Sequence, residues 1–255
     1  MDWGELKDFL NEKVDKYNQP DFIPQDPLQF PHRFDKLQDI EISGFIAASL
    51  AWGNRKMIIN SVEKVLSFMD HAPYDFIMNH TERDLNEIPH FVHRTFNRDD
   101  LLFFLSALQG IYKNHESLEE LFLPEKGEVD LFNSISRFRT FLMKADESNR
   151  CGKHISNPEK GSASKRIHMF LRWMVRNDAR NVDLGVWKNI NPSYLSCPLD
   201  VHTGNVGRKL GFITRKANDR KSVNELDSNL RKLDPNDPVK YDFALFGLGA
   251  IEGWK

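Results

Sequence analysis

Cysteine is scarce in this chain. Among 255 residues only Cys151 and Cys197 carry thiols, which is too few for a disulfide framework, a structural zinc site or an iron–sulfur cluster. Two free thiols are ordinary for a reducing compartment. The sequence also lacks an apolar run long enough to cross a bilayer. We therefore expect a cytoplasmic protein with no iron–sulfur cluster and no membrane association.

An overall positive charge is lacking as well. The formal net charge is −2, which argues against a protein whose whole surface attracts nucleic acid. The charge is nevertheless uneven, because residues 150–255 hold 19 Lys and Arg against 11 Asp and Glu, while residues 1–149 hold 16 against 26. Any polyanion is therefore expected to bind a local surface of the C-terminal part.

Strand patterns are nearly absent, and the apolar residues instead repeat every three or four positions, which predicts an all-α protein. We expect a single unit over residues 1–255, with an acidic helical part at about 1–149 and a basic part at about 150–255. The predicted helices cover residues 4–17, two stretches of 40–69 that meet near Gly53 and Asn54, and then 74–80, 98–114, 116–123, 130–145, 165–177, 201–210 and 239–250. A polar loop is predicted at 146–164.

The first candidate site is a turn of small residues that leads into a helix. Gly161, Ser162, Ala163 and Ser164 precede Lys165 and Arg166. The backbone N–H groups of such a turn, at the positive end of a helix, suit a phosphate group. The alternative is that the turn only starts a helix and that Lys165 is an ordinary solvated lysine. The surrounding excess of basic residues favours the first interpretation.

The second candidate is Asp200, which follows Pro198 and is predicted to be the N-cap of a helix. Backbone N–H donors at that position would keep its carboxylate ionised. Taken alone, an aspartate at a helix N-cap is usually structural. Its functional interpretation depends on Lys165, which lies 35 residues earlier in the chain.

These two motifs, in this order, resemble those of the helix-hairpin-helix DNA glycosylases. The turn 161–164 with Lys165 is similar to their hairpin and nucleophilic lysine, and the segment from Pro198 to Gly211 is similar to their catalytic-aspartate helix. The long spacing between lysine and aspartate resembles the archaeal-type 8-oxoguanine branch. The hairpin glycines of the family are mostly serine and alanine here. The chain is also expected to belong to a bacterial family of unknown function related to these enzymes.

A third motif resembles the same branch. Asp242 and Phe246 match a late helix that carries an aspartate and, four residues later, an aromatic residue of the base pocket. That aromatic is usually tryptophan, so Phe246 is a departure. More loosely, the segment 45–54 lies where these enzymes carry the first helix of the pocket, which makes Ser49, Trp52 and Asn54 candidates for base contacts.

The resemblance implies two packed helical subdomains, a helix-hairpin-helix element and a bifunctional enzyme that acts on damaged double-stranded DNA. Lys165 would attack the sugar carbon and Asp200 would assist it, which would release an oxidised base such as 8-oxoguanine. Trp52 and Phe246 would stack on the extruded base. The phosphate contacts would come from Gly161, Ser162, Ser164, Arg166, His202 and Arg208. No cofactor is implied, and a monomer is the default for the family.

Other interpretations remain open. A non-catalytic helical DNA- or RNA-binding protein would use Lys165 as one phosphate contact among several, and a helical scaffold would bind no nucleic acid. His202 has a structural alternative, a hydrogen bond to a neighbouring carbonyl. We predict no metal site, because the residues around His90 and Asp99 lack ligand spacing. Trp173 is expected in the core. The remaining candidates, Asp178 and Asp183, are expected at helix caps.

Overall fold

The computed structural model describes residues 2–144 and 150–254. The predicted all-α class is confirmed, since the described chain is mostly helical. The α-helices, in chain order, are α1 (Trp3–Tyr17), α2 (Leu37–Leu50), α3 (Arg55–Phe68), α4 (Pro73–Asn79), α5 (Glu82–Glu87), α6 (Arg98–Tyr112), α7 (Phe132–Met143), α8 (Lys165–Val175), α9 (Val201–Lys209), α10 (Arg220–Leu233) and α11 (Tyr241–Phe246).

Short helical turns and one hairpin complete the chain. The 3-10 turns are Pro20–Gln25, Pro27–Gln29, Pro31–Arg33, Leu118–Leu121, Cys151–Lys153, Pro158–Lys160, Pro192–Tyr194 and Pro238–Lys240, and Gly247–Ile251 is a π-helix. Strands β1 (Val92–His93) and β2 (Phe96–Asn97) pair antiparallel, with Val92 opposite Asn97. Among residues 2–144 and 150–254, no helix has both the length and the apolar character needed to cross a membrane.

Most predicted helices are found near their expected positions. Differences occur where local patterns are weak: the stretch 116–123 forms only the 3-10 turn Leu118–Leu121, and α5 and α10 were not predicted. The break between α2 and α3 occurs as expected, at Gly53, whose φ of 109° is accessible mainly to glycine. The predicted end of the 130–145 helix and the start of the 146–164 loop fall at residues 145–149, outside the described residues.

The chain divides into two compact units, each assembled from separate segments. The first unit comprises Met1–Ile23, Pro124–Asn133 and Asn157–Lys255, and the second comprises Pro24–Leu123 and Ser134–Ser156. This grouping differs from the boundary near residue 149 that charge indicated. The N-terminal helix α1 belongs with the C-terminal helices, because its apolar face is part of their core.

The core of the first unit joins α1 to α9, α10 and α11. Leu10 is fully buried there and Val14 almost so. Their apolar neighbours in this core are Leu199, Val206, Leu226, Leu230, Tyr241, Leu245 and Leu248. Gly247 allows the π-helix to approach α1 closely, because a Cβ atom at this position would lie 2.1 Å from the ring of Tyr17. Burial of these side chains is the main stabilising term for α1, because an isolated helix of this length is only marginally stable in water.

The second unit has an aromatic core. Phe45 of α2 packs against Phe104 of α6, with 5.5 Å between ring centroids, and against Phe138 of α7 at 5.6 Å. A buried carboxylate lies beside this core: Glu41 accepts hydrogen bonds from the Tyr112 hydroxyl (2.8 Å) and from the backbone N–H of Leu118 (3.1 Å). These donors compensate for its burial.

Leu10→Ala tests the assignment of α1 to the C-terminal core. The substitution removes a fully buried side chain, so we expect the free energy of unfolding to fall by about 2–5 kcal/mol, measured by denaturant unfolding. Lys7→Ala, on the exposed face of α1, is the matched control and should change stability by about 0.5 kcal/mol or less. Equal effects of the two substitutions would contradict the packing of α1.

Candidate functional site

Lys165 is the first residue of α8 and follows a sharply bent turn. Gly161 (φ 83°) and Ser164 (φ 51°) both adopt left-handed backbone conformations. Within the turn, the Ser164 N–H donates to Ser162 Oγ at 3.1 Å. The turn therefore delivers Lys165 directly at the positive end of an eleven-residue helix. The element before the turn is the 3-10 turn Pro158–Lys160, not a full α-helix.

A second segment pairs with this turn. Ser162 forms an antiparallel bridge with Asp219, and the Arg220 N–H donates to the Gly161 carbonyl oxygen at 3.0 Å. Asp219 in turn caps α10 by accepting from the Ser222 N–H. The loop before α10 and the turn before α8 thus lie side by side, and the lysines in or next to these segments, Lys160, Lys216 and Lys221, are exposed.

Asp200 is the N-cap of α9, as predicted. Its Oδ1 accepts from the Thr203 N–H at 2.9 Å, whereas its Oδ2 lies 3.5 Å from Nζ of Lys165. The two carboxylate oxygens therefore have different partners. The side chain of Lys165 is 35% exposed and that of Asp200 is 19% exposed, so a molecule in solution can reach both. The structure brings the two predicted residues together across 35 positions of sequence.

The segment before Asp200 is held by a buried carboxylate. Asp227, inside α10, accepts from the Cys197 N–H at 2.9 Å. Burial is the dominant influence on this carboxyl and raises the pKa of Asp227 to about 6, although Arg231 opposes the shift. From the other side, the Asn218 amide donates to the Asp200 carbonyl oxygen at 3.0 Å.

Asp242, the third predicted residue of this region, lies within electrostatic range of both Lys165 and Asp200. It is only 6% exposed. Its Oδ2 accepts from Arg172, and its Oδ1 is 3.6 Å from the thiol of Cys197, which donates to it. Burial raises the pKa of Asp242, the charge of Asp200 adds to this effect, and Arg172 and Lys165 oppose it.

Phe246 and His202 pack against each other near the start of α9. Their rings meet edge to face with 6.2 Å between centroids. His202 is exposed, so its ring is available to a partner. The close approach depends on Gly249 of the π-helix, where a Cβ atom would lie 2.9 Å from the His202 carbonyl oxygen. Helix α9 therefore begins in direct contact with the π-helix.

The two arginines predicted to bind phosphate differ in their surroundings. The guanidinium of Arg208 donates to the carbonyl oxygens of Arg215 (2.7 Å) and Lys216 (2.9 Å) and also bonds Asn218. It thus shapes the loop before α10. Arg166, on the first turn of α8, is partly buried, and this burial lowers its pKa.

The candidates Ser49, Trp52 and Asn54 belong to the second unit. Ser49 is 5% exposed and faces an apolar space with no room for a water molecule, so its surroundings are those of a core residue. Asn54 caps α3 by accepting from the Met57 N–H at 3.3 Å. Trp52 is half-buried, and the Arg94 guanidinium lies over its ring at 4.8 Å.

The sequence analysis missed a buried cluster of arginines and aspartates in the first unit. Asp183 was expected to be a helix cap, but it is buried and accepts from Arg172 (3.1 Å) and Arg176 (3.0 Å). Arg176 also pairs with Asp237 at 3.0 Å. The available signal was the presence of two arginines four residues apart, Arg172 and Arg176, on either side of the apolar residues Trp173, Met174 and Val175. Trp173 is fully buried, as predicted.

No metal cluster can be assigned in the part of the chain that the structure describes, where no group of three or more His, Cys, Asp and Glu side chains is placed to hold an ion. The residues considered from sequence have other partners. His93 contacts Ser61 Oγ at 2.9 Å, and Asp99 pairs with Arg150.

Comparison with known proteins assigns no activity to this site. A family model with the description "Protein of unknown function (DUF2400)" matches residues 26–251. No curated protein and no solved structure matches the chain. The match covers Lys165, Asp200 and Asp242, and the resemblance to DNA glycosylases stays a prediction.

Gly249→Ala tests the packing that positions α9. The added methyl group would overlap the His202 backbone, so we expect a loss of about 1–3 kcal/mol in unfolding free energy. Gly110→Ala is the control, because a Cβ atom there meets none of the described atoms within 4 Å, and it should stabilise the chain by up to about 1 kcal/mol. A Gly249→Ala protein as stable as the parent would contradict this packing.

Asp227→Asn should change how stability depends on pH. In the folded chain this carboxyl titrates near 6, well above an unfolded aspartate at about 3.9. The unfolded state therefore loses its proton first as pH rises, and Asp227 destabilises the fold increasingly from about pH 4 to 6. From pH 4.5 to 7.5 the variant should gain about 1–3 kcal/mol relative to the parent in denaturant unfolding.

Asp219→Asn is the control of opposite sign. Arg215 and the Ser222 N–H lower the pKa of Asp219 to about 2, so its ionised form stabilises the fold above about pH 4, and that contribution is lost as pH falls through 2. This variant should lose stability relative to the parent at neutral pH. The same pH response in both variants would exclude the proposed difference between the two carboxylates.

Proposed function

The chain belongs to the DUF2400 family, and we propose that it is a base-excision DNA-repair enzyme, a DNA N-glycosylase with Schiff-base lyase activity. The observation that carries the proposal is the 3.5 Å approach of Lys165 Nζ to Asp200 Oδ2. A lysine beside a carboxylate, accessible to solvent and at the N-terminal end of a helix, suits a nucleophile with an adjacent proton acceptor.

The surface around this pair supports a nucleic-acid substrate. The turn 161–164 and the loop before α10 lie side by side, and Lys160, Lys216 and Lys221, in or next to these segments, are exposed. Cations and backbone N–H groups at helix N-termini favour phosphate groups. We propose that this surface binds the DNA backbone beside the lesion, with the turn and α8 acting as the hairpin and second helix of a helix-hairpin-helix element in a glycosylase-like fold.

The reaction would proceed by attack on the sugar. An enzyme cannot reach the glycosidic carbon of a stacked base, so the nucleotide must first rotate out of the duplex. The neutral amine of Lys165 forms a bond to C1′, and the C1′–N bond breaks with its electron pair leaving on the base, which takes up a proton. Asp200 accepts the proton that the lysine loses and stabilises the positive charge on the sugar.

The product of this attack opens to an imine: the C1′–O4′ bond breaks, O4′ takes up a proton and the Lys165 nitrogen forms a double bond to C1′. This imine would account for lyase activity. Loss of a proton from C2′ allows the C3′–O bond to break by β-elimination, and water then releases Lys165 from the sugar fragment. Phe246, next to the exposed ring of His202, is proposed to stack on the extruded base, which we expect to be an oxidised purine such as 8-oxoguanine.

Borohydride trapping tests the proposal directly. Duplexes that contain 8-oxoguanine or an abasic site are incubated with the protein and borohydride, and we expect a covalent protein–DNA band. Lys165→Gln should abolish the band, because the amide cannot form an imine, while affinity for the duplex changes little. Lys160→Gln, an exposed lysine of the same surface, is the matched control and should keep the band.

Asp200→Asn separates the cap from the chemistry. Asparagine also caps helices, so the fold should persist while the trapping rate falls by about 10²–10⁴. If the parent protein binds both duplexes but gives no band, the chain is instead a non-catalytic binder. In that case Lys165→Gln should reduce the salt dependence of binding by about one phosphate contact.

A further inference from the structure

A buried cluster of charged side chains connects α8 to the region around Asp242. We call it the arginine–aspartate cluster; its members are Arg172, Arg176, Asp183, Asp237 and Asp242. Arg172 is 5% exposed, Arg176 2% and Asp183 1%. Charges this deeply buried are costly unless each has close partners of opposite sign. The cluster meets this requirement because Asp183, Asp237 and Asp242 all pair with the two arginines.

Arg172 is fixed from three directions. Its Nε donates to Asp183 at 3.1 Å, and its Nη1 donates to Asp242. Its guanidinium plane lies over the ring of Phe243, with Cζ 4.4 Å from the ring centroid. A planar guanidinium held in this way has little freedom to rotate. The position of the Asp242 carboxylate is therefore set by Arg172.

The same helix carries both Lys165 and Arg172. The two residues are seven positions apart, which corresponds to about two turns and to the same face of the helix. Asp242 receives the Arg172 hydrogen bond at one end of this face and interacts electrostatically with Lys165 and Asp200 at the other. Helix α8 thus carries both Lys165 and Arg172, the hydrogen-bond partner of the Asp242 carboxylate.

We propose that Arg172 is a positioning residue for the Lys165–Asp200 pair, because it holds the Asp242 carboxylate ionised and fixed beside that pair. This inference rests on the proposed function. The reaction places positive charge on the sugar and then on the imine nitrogen. A second negative charge near Asp200 stabilises both, provided that Asp242 keeps it.

The groups that face Asp242 determine whether it is ionised. They are Arg172 and Lys165 from α8, Asp200 at the start of α9 and the Cys197 thiol of the preceding segment. Burial and Asp200 raise the pKa of Asp242, so Arg172, which is in direct contact, is the main group that favours the ionised form. Without Arg172, Asp242 will take up a proton at higher pH.

The test compares rates as a function of pH under single-turnover conditions, so that binding does not contribute. We expect Arg172→Met to move the acid limb of the trapping rate upward by about one pH unit or more. Arg172→Lys keeps the charge and should restore the limb to within about half a unit of the parent. A uniform loss of rate at every pH, with the limb unmoved, would show that Arg172 is merely structural.

Two further variants keep the test decisive if Arg172→Met does not fold. Asp242→Asn should remove the limb, and Arg172→Met combined with Asp242→Asn should have the same pH profile as Asp242→Asn alone, because the two residues act through one carboxylate. The double variant contains no unpaired Asp242 charge, so it can be studied even if Arg172→Met does not fold. An additional shift of the pH profile in the double variant would overturn the proposal.

A readout without turnover separates this inference from the proposed function. The lysines of the full chain are dimethylated with ¹³C, and the Lys165 signal is assigned by its loss in Lys165→Arg. In the parent we expect the Lys165 chemical shift to show an acid inflection caused by Asp242, and this inflection should disappear in Asp242→Asn. In Arg172→Met it should move to higher pH. If Arg172→Met does not fold, Arg172→Lys is measured instead and should leave the inflection unchanged. If the parent shows no trapping but the inflection behaves in this way, the proposed function fails and the charge coupling stands. Acid inflections that are the same in the parent and in Asp242→Asn would overturn the coupling, because Asp200, which also contacts Lys165, is present in both proteins.

Discussion

Buried charge is the constraint on which the C-terminal part of this chain depends. Arg172 in α8 and Arg176 at its C-cap are both buried, and neither could remain so without carboxylates. Satisfying them brings Asp183, Asp237 and Asp242 to one helix, although these residues are spread over 60 positions of sequence. Helix α11 is thereby fixed against α8. This arrangement fixes the position of Asp242 relative to Lys165, which lies on α8.

Asp200 is a second carboxylate whose contacts hold separate parts of the structure together. A helix cap and a catalytic partner are usually treated as competing explanations for one aspartate. Here the two carboxylate oxygens have different partners, because Oδ1 accepts from the Thr203 N–H and Oδ2 faces Lys165. The capping bond sets the orientation of the carboxylate. The hydrogen bond that caps α9 therefore also orients Oδ2 of Asp200 toward Lys165.

Local sequence patterns account for much of this structure. Most helices with an apolar repeat were predicted to within a few residues, the exception being 116–123, which forms only a 3-10 turn. Lys165 and Asp200 were predicted from a turn, a cap and a family resemblance. Helix α10 was missed because it is strongly polar, although Val223, Leu226 and Leu230 have helical spacing. Hairpin β1–β2 has strands of two residues, too short to show alternation. The pairing of Arg172 with Asp242 spans 70 positions, and no local pattern encodes such a contact.

The grouping of α1 with the last helices has a consequence for synthesis on the ribosome. Leu10 and Val14 emerge well before their core partners, which extend to Leu248. At translation rates of about 5–20 residues per second, this helix waits for roughly ten seconds to a minute before its apolar face can be buried. Residues 24–123 and 134–156 form a separate compact unit that can be completed in the meantime. The first unit can thus be completed only after the second, by contacts between segments that are synthesised far apart in time.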